Sequence, residues 1–155
     1  MKNIEILATK FRVAIENAKN CNRFANNQCL NYFPYGCCGI ATELLAKFLI
    51  ENGVKEEIEC IYGTYYDFSL GFPTHSWLQI GNNIIVDITG DQFIHYKAPL
   101  KFNSAVYVGP NNSFHDSFEI NSKELYNHFN PANVISDLEY ARKKTYYEII
   151  LEYIQ

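Results

Sequence analysis

Apolar residues follow the roughly 3.6-residue helical period from Asn3 to Lys19. Ile6, Leu7, Phe11, Ala14, Ile15 and Ala18 form one stripe there, which predicts an amphipathic helix. The segment from Asn20 to Tyr35 is rich in Asn and has no period, so it reads as a loop. Pro34 and Gly36 then shape the chain just ahead of a second and stronger helical pattern, Cys38 to Glu51. In that pattern Ala41, Leu44, Leu45 and Phe48 hold the period, and Asn52-Gly53 supplies the stop. Beyond it the pattern shortens to strands: Ile58–Tyr65, Thr74–Ile80, Ile84–Thr89 and Ser104–Val108. Asp67 to Pro73 and Gly109-Pro110-Asn111-Asn112-Ser113 are turn material. Asn121 with Glu124 has the form of a capping box, and Asn130-Pro131 is placed to start a last helix running to about Tyr153. The expected fold class is α+β, with N-terminal helices packed on an antiparallel sheet and a C-terminal helix, as a single domain over residues 1–155.

The junction Gly81-Asn82-Asn83 predicts a hairpin between the second and third strands. Side chains alternate along a strand, so His75 shares a face with Trp77 and Gln79. A three-residue loop pairing Ile80 with Ile84 brings Asp87 onto that same face, opposite Trp77 and diagonal to His75. A two-residue loop would turn Asp87 to the other face.

Composition changes this picture little. The hydrophobic content of 48% and charged content of 19% are ordinary for a globular chain, and 12 Tyr with 11 Phe favour a sheet-containing core. A net charge of −4, with basic residues scattered apart from Arg142-Lys143-Lys144, argues against a nucleic-acid partner. No apolar run approaches the roughly 20 residues of a membrane span, and the first residues mix Lys, Glu and Asn into the apolar pattern, unlike a secretory signal. Five cysteines with one adjacent pair make a poor disulfide framework and fit a reducing compartment. A cytoplasmic location is expected, with delivery into another cell by a route that needs no cleavable signal left open.

The candidate chemistry lies in Phe33-Pro34-Tyr35-Gly36-Cys37-Cys38-Gly39-Ile40-Ala41-Thr42, in Thr74-His75-Ser76-Trp77-Leu78 and in Ile84-Ile85-Val86-Asp87. Each residue alone has an ordinary reading. A cysteine at a helix start is commonly a small core residue, a strand histidine a structural one, and an aspartate after an apolar strand a turn residue. Together, a thiol at a helix start, an imidazole on one strand and a carboxylate on the next are the parts of a nucleophilic cysteine site. The helix start carries about half a positive charge and a nearby imidazolium a whole one, and both stabilise the reactive thiolate. Cys37 competes with Cys38 as nucleophile. Gln28, Asn31 and Gln92 are side-chain candidates for the oxyanion donor, and Tyr35 and Trp77 for lining a substrate cleft. No second cysteine pair stands at ligand spacing, so no metal and no cofactor is expected. Cys21, Cys29 and Cys60 read as incidental thiols, His115-Asp116 as surface, and His95 and His128 have no evident partner.

These segments resemble the papain-like cysteine enzymes of the transglutaminase-like kind. The resemblance rests on Phe33 to Thr42 and on His75-Ser76-Trp77-Leu78 leading through the hairpin to Val86-Asp87-Ile88-Thr89-Gly90-Asp91-Gln92-Phe93. It implies a papain-like fold in which Cys38 is the nucleophile, His75 the base and Asp87 the orienting acid. Papain has a glutamine six positions before its cysteine, where this chain has Tyr32. In size the chain is similar to compact bacterial glutamine deamidases, effector peptidases and toxin domains. The expected function is therefore thiol-dependent acyl transfer on an amide carbonyl of a protein or peptide: deamidation, peptide cleavage or transamidation. Two alternatives belong to other classes. One is an inert papain-like binding module that uses the aromatic loop from Tyr65 to Phe72. The other is a thiol redox protein built on Cys37-Cys38, which the strained ring of an adjacent pair disfavours.

Overall fold

The computed structural model describes residues 1–26, 28–81, 83–126 and 137–155. Helix α1 spans Lys2–Asn20, α2 spans Cys38–Glu51 and α3 spans Asp137–Leu151. The strands are β1 Ile58–Thr64, β2 Thr74–Ile80, β3 Ile84–Asp87, β4 Tyr107–Gly109 and β5 Glu119–Leu125. They form one antiparallel sheet in the order β4-β3-β2-β1-β5. The expected start of the last helix at Asn130-Pro131, the hairpin residue Asn82 and His128 lie outside the described residues. Among the described residues no helix is long and apolar enough to cross a membrane.

Alternation along the central strands gives the sheet two buried faces. Leu78, Ile80 and Val86 point to the helices and join Phe11, Leu44, Leu45 and Phe48 in the larger core. Ile61, Trp77 and Ile85 point the other way and meet Phe93, Leu100, Phe114 and Phe118, an aromatic core built from the connections after β3 and β4. Helix α2 is pinned to β2 by the Thr42 hydroxyl, which donates to the Ser76 carbonyl at 3.2 Å.

Three expectations are corrected here. The stripe of α1 is rotated: Ile4, Ala8 and Arg12 are buried with Phe11, Ala14, Ile15 and Ala18, while Ile6 is exposed. Asn121 and Glu124 do not cap a helix. They belong to β5, whose pairing with β1 from Glu59–Leu125 to Thr64–Glu119 overrides the local pattern. The fourth strand is Tyr107–Gly109, because only that stretch pairs with β3.

Arg12 is a buried cation that the periodicity gave no reason to notice. Its guanidinium donates to both oxygens of Asp91 at 2.8 Å, to the Ile88 carbonyl at 2.6 Å and to the Ala105 carbonyl at 2.8 Å. It also lies over the Phe33 ring. One side chain thus ties α1 to the loop before Cys38 and to the segment after Asp87. Such a charge is tolerable in the interior because its donors are satisfied.

Candidate active site

Cys38 is the first residue of α2, and the chain reaches it through Gly36 at φ +66°, a left-handed turn suited to glycine. Lys19 donates to the Phe33 carbonyl at 2.7 Å and steadies the same approach. The Cys37 carbonyl accepts the Ala41 N–H at 2.9 Å, so the first N–H groups of the helix begin at Cys38.

Register places the other two residues. Ile80 pairs with Ile84, Gln79 with Ile85 and Leu78 with Val86, which is the pairing that puts His75 and Asp87 on one face. His75 Nε2 and Asp87 Oδ2 are 2.7 Å apart, and both side chains are fully buried. The second ring nitrogen, Nδ1, lies 3.1 Å from the Gln92 amide nitrogen, and the Cys38 thiol is coupled to the His75 ring and to the Ser76 N–H. The structure thus pairs His75 directly with Asp87 and couples Cys38 electrostatically to His75.

The electrostatics follow from this placement. Burial works against charge on Cys38, but the His75 hydrogen bond and charge and the Ser76 N–H outweigh it, and the thiol is held below its ordinary value. Burial pulls His75 down, while the Asp87 charge and hydrogen bond more than offset it, raising the ring from 6.5 to about 9. Burial would raise Asp87, yet the His75 charge and the hydrogen bonds from His75 and His115 hold it well below 3.8. Cys37 stands in contrast. It is 3% exposed and burial pushes its thiol far up, so the two adjacent cysteines differ in chemistry. Cys60 is likewise pushed up to about 12 by burial. All five cysteines are free thiols.

Gln92 is the one oxyanion candidate that reaches the site. Its Nε2 lies 3.1 Å from His75 Nδ1 and donates to the Thr89 carbonyl at 3.0 Å. Gln28 instead accepts the Ala25 N–H at 2.9 Å in a local turn, and Asn31 lies in the short 3-10 helix Cys29–Tyr32. Tyr35 is half exposed, three positions before Cys38. Trp77 is not a cleft surface: it is 3% exposed and packs on His75, His115 and Phe118.

The largest correction concerns His115, expected at the surface. It is 1% exposed, and its Nε2 lies 3.1 Å from Asp87 Oδ2. Its chain segment, the 3-10 turn His115–Ser117, is anchored by Asn112 Oδ1, which accepts the N–H of Phe114 at 3.0 Å and of His115 at 3.2 Å. The sequence signal that was available is the Asn112-Ser113-Phe114-His115 turn, with its capping Asn and an apolar Phe before the ring. His75, Asp87 and His115 bring one potential ligand atom each within 4.8 Å of one another, the one such group among the described residues. The carboxylate already accepts both rings, and a cation there would have to displace those two hydrogen bonds.

No family model, no curated protein and no solved structure matches this chain.

Proposed function

We propose that this protein is a papain-like, transglutaminase-like cysteine enzyme that transfers the acyl group of an amide to water. The observation that carries the reading is the buried His75 ring, bonded at 2.7 Å to Asp87 and coupled to the Cys38 thiol, which it holds below its ordinary value. In this reading His75 Nδ1 takes the thiol proton, and the sulfur attacks the amide carbonyl carbon as the carbonyl electron pair moves to oxygen. The oxyanion is received by the N–H of Cys38 and the amide of Gln92. The C–N bond then breaks, and its nitrogen leaves with the proton from His75. Water attacks the thioester, gives its proton to His75 and releases the carboxylate and the thiol. An amine in place of water would give transamidation.

The favoured substrate is a glutamine side-chain amide in a protein, ahead of a peptide bond, because a short chain with few long loops makes a shallow cleft. Incubation with candidate proteins separates the two: deamidation adds about one dalton at an intact backbone, whereas a peptidase leaves fragments. Failure of both, with an ordinary Cys38 thiol, would remove the enzyme reading.

A binding module on the same fold is the second reading, favoured by the loop between β1 and β2. Phe68 is 94% exposed there and Tyr66 60% exposed, with Phe68 and Tyr66 each packed on Phe72. A Cys38 thiol that titrates near the ordinary 8.5, unaffected by His75→Ala, would favour that reading.

A further inference from the structure

Asp87 serves two imidazoles, not one. Its Oδ2 faces His75 Nε2 at 2.7 Å and His115 Nε2 at 3.1 Å. Its Oδ1 accepts the Thr89 N–H at 2.9 Å. The far nitrogen of the second ring, His115 Nδ1, lies 3.1 Å from Asn112 Oδ1. That oxygen is fixed as the acceptor because two backbone N–H groups point at it, and turning the amide over would set its NH2 against both. Both nitrogens of His115 therefore face oxygen acceptors, and only a ring with a proton on each can satisfy both. The ring is wedged among Trp77, Phe102, Phe114 and Tyr107 at centroid distances of 4.9–5.6 Å, so it has little freedom to turn.

We propose that His115 is a positioning residue: it clamps the Asp87 carboxylate through the same oxygen that meets His75 and so fixes the imidazole coupled to Cys38. This rests on the reading of Cys38, His75 and Asp87 given above. Without the clamp, Oδ2 keeps a single partner, and the carboxylate is free to rotate about Thr89 and away from His75. A buried carboxylate with two donors on one oxygen and a backbone N–H on the other is held in plane and ionised. The groups facing His115 that carry or exchange charge are Asp87, His75 at a ring separation of 6.4 Å, and the Tyr107 phenol. Asp116, its chain neighbour, is instead engaged by the Asn111 amide at 2.5 Å.

The test is the rate of Cys38 alkylation by iodoacetamide from pH 5 to 9 in the full chain, read alongside circular dichroism. His115→Leu removes the donor and keeps the bulk. His115→Gln keeps an N–H that reaches toward Asp87. Expected is an alkylation midpoint moved up by about one pH unit in His115→Leu, hence about tenfold slower labelling below the midpoint, with most of the rate restored in His115→Gln. A shifted profile in the unsubstituted protein that His115→Leu leaves in place overturns this proposal alone. An ordinary thiol profile in the unsubstituted protein overturns the cysteine-enzyme reading and this proposal with it. Should His115→Leu fail to fold, the ring 15N resonances of the unsubstituted protein decide. A proton on His115 Nε2 is expected, and a lone pair there would overturn the clamp.

Discussion

His75 and Asp87 meet at 2.7 Å because Ile80 pairs with Ile84 across the β2–β3 turn. That pairing sets the parity of every residue on the two strands, and a one-residue slip would send Asp87 to the helical face. The buried pair then supplies what a thiol at a helix start needs, an imidazole with a fixed orientation and a raised proton affinity.

Cys38 and Cys37 should label very differently. Near pH 6, iodoacetamide is expected to modify Cys38 and spare Cys37, since the first thiol is lowered by His75 and the second is raised by burial. His75→Ala should slow Cys38 labelling by about tenfold or more, because the Ser76 N–H then opposes burial without the imidazole's help. Peptide mapping of the alkylated protein checks both statements, and preferential modification of Cys37 would contradict them.

Stability should depend on pH through the same pair. The raised His75 contributes stability in full below 6.5 and loses it as pH climbs through about 9. The depressed Asp87 contributes above 3.8 and loses its share as acid approaches its lowered value. Both contributions are present between about pH 4 and 6.5. Asp87→Asn should flatten both limbs and cost about 3 kcal/mol near neutrality by stranding a buried ring. Thermal unfolding across pH checks it; an unchanged curve shape would count against the pairing.

Arg12→Met should lower stability by about 3–5 kcal/mol, since Asp91, the Ile88 carbonyl and the Ala105 carbonyl all lose their donor at once. Urea unfolding measures it. A loss under about 1 kcal/mol would mean that water replaces the guanidinium.

Gly90 should tolerate no side chain. An added Cβ would sit 2.5 Å from the Phe102 ring and 2.8 Å from Asp87 Oδ2. Phe102 is stacked on Phe114 at 4.3 Å and has little room to yield. Gly90→Ala is expected to cost about 1–3 kcal/mol and to slow Cys38 labelling by displacing the carboxylate. Gly36→Ala, where no atom lies within 4 Å of an added Cβ, is strained only through its φ of +66° and serves as the comparison.

Much of this was legible along the chain. The bounds of α2 and β2 follow from their periods and from Asn52-Gly53, whereas Gly81-Asn82-Asn83 marked a hairpin of either register and only the pairing of Ile80 with Ile84 put His75 and Asp87 on one face. Local signals sufficed for those bounds because each residue's role there depends on neighbours within a turn or one hairpin. Arg12 and His115 escaped for the opposite reason. Arg12 looks like a polar interruption of an apolar stripe until Asp91, 79 positions away, is seen to receive it. His115 sits in a turn-rich segment that reads as solvated, and only the folding of that segment over the sheet buries it on Asp87.

The sequence by itself determined an α+β chain with a thiol at the start of its best helix and a histidine and an aspartate on paired strands. The tertiary structure decided which cysteine thiol is raised and which is lowered, because burial and the coupling to His75 are properties of packing. It also decided that Asp87 has two histidine partners, since a hydrogen bond between residues 28 positions apart depends on how loops close over a sheet.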